Sequence, residues 1–222
     1  TQYMTHPEEW TYHIPEGMTT MEGALVEPAA VGMHAAVLGG AQPGKSIVIL
    51  GGGTIGLMVL QACISLGATD ITVVDVIEKR LELAKKLGAA RVINGKEEDT
   101  VAVLRSEEMY GDHGVDLVFE AAGAVFTAQQ AVQIVSRGGK IMMVGTQSKP
   151  VPIDFLKINR EVTIQTSFRY CNNFPQTIEA ISSGRFNVKD MVTNIYDYED
   201  VQKAFEEAID PVKKTEMVKG VI

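Results

Sequence analysis

The glycine-rich segment at residues 51–56 constrains the fold of this chain more than any other feature of its sequence. It reads Gly-Gly-Gly-Thr-Ile-Gly and fits the pattern G-x-G-x-x-G. The apolar run at 46–50 precedes it and predicts a buried strand, whereas the pattern at 55–66 predicts a helix. A strand, a glycine turn and a helix in this order are typical of a βαβ unit that binds the phosphates of a dinucleotide.

Each of the three glycines that define the pattern has its own physical role in that interpretation. Gly51 permits the tight turn, Gly53 lets the backbone approach a pyrophosphate, and Gly56 lets the helix pack closely on the strand. The N–H groups at the start of the helix, around Ile55, then face the phosphates at the positive end of the helix dipole. Glycine turns also occur for structural reasons alone, so the pattern needs support from its context.

Asp75 supplies that support, because it ends the next predicted strand (71–75) about 20 residues after the loop. A carboxylate at this place accepts hydrogen bonds from the adenosine ribose hydroxyls. It also repels a 2′-phosphate, which favours NAD over NADP as the cofactor. Arg80 follows on the next helix and either lines the adenosine side or belongs to a solvated charged face with Glu78 and Lys79.

Short apolar runs alternate with helical patterns through the middle of the chain. The pattern predicts helices at 55–66, 78–87, 97–109 and 127–135, and strands at 46–50, 71–75, 91–94, 115–120, 140–146 and 162–168. Continuous apolar strands separated by helices indicate a parallel sheet that is covered on both faces. We therefore predict an α/β fold with a doubly wound, six-stranded Rossmann sheet.

Small residues follow the predicted fourth and fifth strands. Ala121-Ala122-Gly123 comes after one and Val144-Gly145-Thr146 after the other. At the carboxyl ends of parallel strands such residues leave room for a ligand, so Ala122 and Val144 are candidate cofactor contacts. Ordinary turns between strands and helices use the same residues, and the sequence leaves both interpretations open.

Composition excludes several other classes of protein. There are 20 Lys and Arg against 28 Asp and Glu, and this net charge of −8 disfavours nucleic acid or an anionic membrane as the partner. With only Cys63 and Cys171 the chain forms no disulfide scaffold and no four-cysteine zinc site, so a reducing cytoplasm is expected. The uncharged stretch 46–69 is long enough to span a bilayer, but its glycines break such a helix, and no membrane segment is expected.

The two ends of the chain lack the strand and helix rhythm of the middle. We predict three segments: a remnant of a second lobe at 1–35, the dinucleotide-binding domain at 36–170, and C-terminal helices with a returning strand at 171–222. Helices are expected near 175–183 and 199–208, the latter with Asp197 as N-cap, and a strand near 216–222. Because no initiator Met or signal peptide is present, the chain is expected to begin inside a longer protein.

Two other enzyme classes use a similar glycine loop. Methyltransferases combine it with an acidic residue after the second strand, but they also carry an acidic residue just ahead of the glycines, which this chain lacks. Short-chain dehydrogenases need a tyrosine followed four residues later by a lysine, and no tyrosine here has that spacing. A methyltransferase therefore stays a weak alternative, and a short-chain dehydrogenase is excluded.

Several motifs together resemble the zinc-dependent medium-chain dehydrogenases, and most closely their sorbitol (polyol) dehydrogenase branch. They are Ile-Pro-Glu at 14–16, Glu-Gly-Ala-Leu-Val-Glu-Pro at 22–28, the glycine loop with Asp75, and Phe-Arg-Tyr at 168–170. The resemblance covers nearly the whole chain, and the Phe-Arg-Tyr motif is its most specific part. It implies that the end segments are pieces of a GroES-like β lobe.

The resemblance also implies a chemistry and a set of site residues. Members oxidise a secondary alcohol of a polyol to a ketone and pass hydride to NAD, assisted by a zinc ion. It places Glu27 beside the metal, Arg169 near the substrate hydroxyls and the nicotinamide, Tyr170 near the substrate, and Phe168 near the cofactor. The main zinc ligands of the family, a Cys and a His-Glu pair, lie in an N-terminal lobe outside this chain. None of the four histidines (His6, His13, His34, His113) has metal-ligand spacing.

Three functional alternatives stay open from the sequence. The chain belongs to a polyol dehydrogenase acting on sorbitol, xylitol or iditol, to a related threonine or butanediol dehydrogenase, or to a dinucleotide-binding module without catalytic activity. The family resemblance further implies a homo-oligomer, either a dimer or a tetramer.

Overall fold

The computed structural model describes residues 3–158 and 160–222, with the backbone alone at residue 214. Its centre is a parallel six-stranded sheet in the order β3-β2-β1-β4-β5-β6. The strands are β1 (Ser46–Leu50), β2 (Asp70–Asp75), β3 (Arg91–Asn94), β4 (Val115–Glu120), β5 (Val135–Met143) and β6 (Thr163–Thr166). This order confirms the predicted doubly wound Rossmann sheet, and the direction of winding reverses between β1 and β4.

Helices cover both faces of the sheet. They are α1 (Thr20–Ala24), α2 (Val26–Gly39), α3 (Thr54–Ser65), α4 (Glu78–Lys86), α5 (Thr100–Leu104), α6 (Val125–Ile134), α7 (Phe174–Ser182) and α8 (Val201–Ile209). Two short strands, β7 (Val192–Ile195) and β8 (Lys219–Val221), form a separate parallel pair near the C-terminus. No helix among the described residues is long and apolar enough to cross a membrane.

The core is split by the sheet into two apolar layers. Ile47 and Ile49 of β1 point into the layer beneath α2 and α3, whereas Val48 and Leu50 point into the layer on the α6 side. Because both faces are buried, the central strands β1, β2 and β4 are buried at nearly every position rather than at every second one. This layering leaves the carboxyl ends of the strands as the edge at which loops can hold a ligand.

The largest differences from the predicted boundaries lie at the end of α5 and at the start of β5. Helix α5 spans only Thr100–Leu104 because the guanidinium of Arg105 donates to the carbonyls of Gly111, Asp112, Gln133 and Val135 and holds the following residues in turns. Strand β5 begins at Val135, which pairs with Val115, although the sequence predicted helix up to that residue. The glycines at 138 and 139 therefore lie inside β5 and do not end α6.

The end segments also depart from prediction in part. Asp197 was expected to cap the last helix, but it precedes a 3-10 turn (Tyr198–Asp200), and α8 begins at Val201. Strand β7 was not predicted at all. The expected remnant of a β lobe contains no strand in residues 3–45, and the boundary drawn at residue 35 falls inside α2, which packs on α3. The division into three segments stays a prediction.

A buried glutamate fixes the first helix to the C-terminal half. Glu22, which is 7% exposed, accepts the N–H of Thr19 at 2.8 Å, while the Thr19 hydroxyl accepts the N–H of Glu22 at 3.2 Å. The ammonium of Lys189 lies 3.3 Å from its other carboxylate oxygen. Burial raises the pKa of Glu22, but the hydrogen bonds from Thr19 and Lys189 outweigh it and hold that pKa below its usual value.

We expect Glu22→Gln to lower the free energy of unfolding at neutral pH by about 0.5–1 kcal/mol, since glutamine keeps the capping geometry but loses the ion pair. A lowered folded-state pKa stabilises the protein above the unfolded pKa and stops doing so as the pH falls through the lowered value. Denaturant titrations at about pH 7 and about pH 3 should therefore show the difference only at the higher pH. Exposed Glu16→Gln is the control, and an equal loss at both pH values would contradict the role of the charge.

Candidate functional site

The loop between β1 and α3 is tightly packed at two of the three glycines that define the G-x-G-x-x-G pattern. Gly51 has a φ of 109°, and a Cβ on it would lie 2.8 Å from the backbone nitrogen of Ala122. A Cβ on Gly56 would overlap the carbonyl oxygen of Gly51. These positions need glycine because the loop, α3 and the end of β4 meet there without space for a side chain.

Position 53 differs, because internal packing does not require a glycine there. Its φ is −72°, and a Cβ there would meet nothing closer than the Arg80 Nη1, at 3.9 Å. Gly53 is also the N-cap of α3, and within the described chain no side chain caps that helix. The first N–H groups of α3, next to half-buried Ile55, therefore have no capping side chain and are donors of the kind that a phosphate group accepts from.

Asp75 is held rigidly beside this loop at the end of β2. Its Oδ2 accepts the N–H of Gly52 at 2.7 Å, and its Oδ1 accepts the N–H groups of Val76 and Ile77 at 2.8 and 2.9 Å. The side chain is only 6% exposed. The carboxylate thus joins the second strand to the glycine loop, at the position where a ribose would lie next to a bound pyrophosphate.

The structure places Arg80 against this carboxylate. Its Nη1 lies 3.6 Å from the Asp75 Oδ2, and its side chain is 25% exposed. The Nε is buried and has no hydrogen-bond partner among the described residues. Arg80 therefore belongs to the loop region, which disfavours the alternative of a solvated helix arginine, and its Nε–H is a donor left for a ligand.

The loops after β4 and β5 cross in close contact at the other half of the sheet edge. A Cβ on Gly145 would overlap the backbone nitrogen of Gly123, and the N–H of Val144 donates to the Glu120 carbonyl at 2.9 Å. Ala122 is exposed and Val144 half-buried, so both predicted contacts lie at the ends of strands facing the crevice. Glu120, a fully buried carboxylate beneath them, was missed, although a charged residue ending an apolar strand was a visible signal.

The Phe-Arg-Tyr motif follows β6 and lies at the same edge of the sheet. Phe168 is 79% exposed, and the Arg169 guanidinium lies 5.4 Å from the centre of its ring. Tyr170 contacts Phe174 edge to face, with ring centres 4.9 Å apart, and Phe174 stacks on Tyr12 of the N-terminal segment. Tyr170 thereby lines a cavity of about 480 Å³ with His6, Trp10, Tyr12, Cys171, Asn172 and Phe174.

Glu27 lies in the first turn of α2 and is exposed. Among the residues that the structure describes, no three His, Cys, Asp or Glu side chains are grouped to hold a metal ion. A catalytic zinc site needs three protein ligands, so these residues do not make up such a site by themselves, and the place of Glu27 beside a metal stays a prediction. Of the two thiols, burial raises the pKa of Cys63 and leaves it protonated and unreactive.

Comparison with known proteins decides which family this arrangement belongs to. Residues 54–183, more than half of the chain, match the family described as zinc-binding dehydrogenase. This chain belongs to that family. The match begins at the residue after Gly53 and extends beyond the Phe-Arg-Tyr motif, so it includes the candidate contacts at the edge of the sheet from Ile55 onward.

Individual relatives agree with this assignment. The chain is 63% identical over all 222 residues to an uncharacterised zinc-type alcohol dehydrogenase-like protein of Escherichia coli, and it covers 63% of that protein. It is 39% identical over 211 residues to sorbitol dehydrogenase of Bacillus subtilis, covering 94% of this chain and 59% of that protein. The chain therefore spans less than two thirds of the length of these relatives.

Solved structures share the fold. A crystal structure of an oxidoreductase/dehydrogenase of unknown specificity from Escherichia coli superimposes with a TM-score of 0.93 at 62% identity, covering 97% of this chain and 61% of that one. A zinc-binding dehydrogenase from Sinorhizobium meliloti, bound to NADP, superimposes with a TM-score of 0.85 at 25% identity, covering 89% and 59%.

Proposed function

We propose that this chain supplies the cofactor-binding part of an NAD-dependent dehydrogenase that oxidises a secondary alcohol of a polyol to a ketone. The observation that carries the proposal is the Asp75 carboxylate, hydrogen-bonded to Gly52 beside the open start of α3. A pyrophosphate at Gly53 and a ribose at Asp75 are the two halves of an adenine dinucleotide site. Membership of the zinc-binding dehydrogenase family supports the reaction class.

NAD rather than NADP follows from the electrostatics at Asp75. The carboxylate is buried at the ribose position, and a 2′-phosphate there would bring a second negative charge into a poorly hydrated environment. Arg80 is 3.6 Å away and is already paired with Asp75, so it does not offer a free cation for that phosphate. The solved relative from Sinorhizobium meliloti is bound to NADP, so the choice of NAD in this chain rests on Asp75 and not on the fold.

The residues of this chain bind and orient the reactants. When bound, the nicotinamide accepts a hydride (one proton with two electrons) from the carbinol carbon. The proton of the alcohol hydroxyl leaves separately. The glycine loop and the start of α3 hold the pyrophosphate, and Asp75 and Arg80 hold the adenosine side.

The substrate side of the proposal rests on Arg169, Tyr170 and Glu27. Arg169 is exposed next to Phe168, where its guanidinium donors suit the hydroxyls of a polyol. Tyr170 lines the neighbouring cavity, and Glu27 would lie beside the metal of the complete enzyme. Sorbitol, xylitol or iditol are the proposed substrates, supported by the 39% identity to a sorbitol dehydrogenase. We also propose a cytoplasmic homo-oligomer, a dimer or a tetramer.

Two measurements test the proposal. The first is NADH and NADPH binding by fluorescence titration, with S-adenosylmethionine as the competitor that a methyltransferase would bind. The second is NAD-linked oxidation of sorbitol, xylitol, iditol, butanediol and threonine by the protein with zinc. Polyol turnover supports the proposal, turnover of threonine or butanediol alone would move the chain to those branches, and binding without turnover would favour a non-catalytic module.

Replacing Arg169 with alanine is expected to reduce kcat/KM for the polyol by about 100-fold, since a charge-assisted contact made in the transition state is lost. The Kd for NADH should change less than threefold, because the adenosine and pyrophosphate contacts are untouched. Steady-state kinetics and fluorescence titration measure the two effects. Arg185→Ala, at an exposed arginine after α7, is the matched control. A larger loss of NADH binding than of turnover would contradict the substrate role.

A further inference from the structure

Glu120 is a fully buried carboxylate that the proposed function has not used. It ends β4, and its Oε1 accepts the N–H groups of Ala122 and Gly123 at 3.0 and 2.9 Å. The hydroxyl of Thr127 at the start of α6 donates to the same oxygen at 2.7 Å, and the side-chain amide of Gln147 donates to Oε2 at 2.7 Å. Four donors thus converge on one buried carboxyl group, and their hydrogen bonds offset the cost of burying it.

These four hydrogen bonds connect two separate loops. Ala122 and Gly123 belong to the loop after β4, whereas Gln147 belongs to the loop after β5, 27 positions from Glu120 in sequence. The loops also touch directly, since a Cβ on Gly145 would overlap Gly123 and lie 2.8 Å from the Glu120 Oε2. The position of each loop therefore depends on the same carboxylate.

We propose that Glu120 is a positioning residue for the nicotinamide half of the dinucleotide, acting through Gln147 and the loop at Ala122. This proposal rests on the proposed function. In a doubly wound sheet, one mononucleotide half lies over the first three strands and the other over the last three. Asp75 on β2 assigns the adenosine half to the first three strands, which leaves the nicotinamide for the carboxyl ends of β4, β5 and β6.

The hydrogen-bonding pattern shows what each substitution would do. The Oε1 of Gln147 is buried with no partner among the described residues, so the direction of this amide is set by its bond to Glu120. In Glu120→Gln, a half-turn of the Gln147 amide lets its Oε1 accept from the new amide nitrogen, and both loops stay connected. Glu120→Ala takes the side-chain acceptor from all four donors, although the Thr127 hydroxyl keeps the Ala124 carbonyl at 2.9 Å. Gln147→Met removes only the side-chain hydrogen bond from the second loop to Glu120, and the backbone hydrogen bonds of Val144 and Gly145 to the Glu120 carbonyl remain.

The test compares NADH with ADP-ribose, which lacks the nicotinamide. We expect Gln147→Met and Glu120→Ala to raise the Kd for NADH about tenfold and to change the Kd for ADP-ribose less than twofold. The enhancement of nicotinamide fluorescence on binding should fall in both variants, and Glu120→Gln should bind NADH more tightly than Glu120→Ala. Gln202→Met, at an exposed glutamine of α8, is the matched control.

The possible outcomes distinguish a failure of the role of Glu120 from a failure of the proposed function. If the unsubstituted protein binds neither NADH nor ADP-ribose, the proposed function itself fails. If it binds both, and Gln147→Met binds NADH within twofold of the unsubstituted protein, only the role of Glu120 is overturned. An equal loss of NADH and ADP-ribose would also overturn it, because that result indicates general damage to the fold. Circular dichroism identifies any unfolding of Glu120→Ala, and Gln147→Met then decides the question.

Discussion

Replacing Gly53 with alanine is expected to abolish tight dinucleotide binding while leaving the fold intact. The backbone of Gly53 has a φ of −72°, which alanine adopts without strain, and the nearest heavy atom to a new Cβ is 3.9 Å away. The methyl group therefore meets nothing in the free protein. It would occupy the space into which a pyrophosphate must come, so we expect the Kd for NADH to rise at least about 100-fold.

Gly56→Ala is the matched substitution in the same loop, and it should behave differently. Its Cβ would overlap the carbonyl oxygen of Gly51, so β1 and α3 must move apart before the methyl group fits. We expect the free energy of unfolding to fall by about 3 kcal/mol, at the upper end for an overpacked core. Thermal denaturation and NADH titration of both variants measure the contrast.

Other results for the NADH binding and the stability of these two variants would contradict the assignment of the site. If Gly53→Ala binds NADH as well as the unsubstituted protein does, the phosphate does not lie at Gly53, and the proposed site is wrong. If Gly53→Ala is instead as unstable as Gly56→Ala, the glycine has a packing role that its surroundings in the structure do not indicate. Gly44→Ala is not a suitable control, because Gly44 has a φ of 82° and would be strained for an unrelated reason.

Asp75→Ser is expected to shift the cofactor preference from NADH towards NADPH. The substitution removes the carboxylate that accepts ribose hydroxyls and repels a 2′-phosphate, and it frees Arg80 from its partner at 3.6 Å. We expect the Kd for NADH to rise about tenfold and the Kd for NADPH to fall about tenfold, so that the ratio shifts about 100-fold. Fluorescence titration with both reduced cofactors measures this ratio directly.

Asp70→Asn is the control for charge alone. Asp70 begins the same strand β2 that Asp75 ends, and it pairs with Arg91 at the opposite edge of the sheet. Its replacement removes one negative charge without touching the cofactor crevice, so the ratio of the two affinities should stay constant. An unchanged ratio in Asp75→Ser, or an equal shift in both variants, would refute the ribose assignment. Double substitution with Arg80→Ala should cancel much of the gain in NADPH binding, because the freed cation is then absent.

Local patterns were sufficient to predict most of the sheet. All six strands of the Rossmann sheet were predicted, because the central strands are apolar runs and the edge strands β3 and β6 are short β-branched segments between helical patterns. The errors lie where contacts between residues far apart in sequence determine the boundaries of helices and strands. Arg105 shortens α5 by binding carbonyls up to 30 positions away, and Val135 becomes strand because it pairs with Val115. Neither contact leaves a signal in a window of about 11–18 residues.

The sequence by itself determined the glycine loop, the acid at the end of the second strand and the order of strands and helices. These depend on backbone conformation and on the period of burial, which neighbouring residues control. Only the tertiary structure decided that Asp75 binds Gly52, that Arg80 lies against Asp75, and that Tyr170 shares a cavity with Tyr12. It also revealed that Glu120 holds two loops together, since buried polar groups take whatever partners the packed chain brings to them.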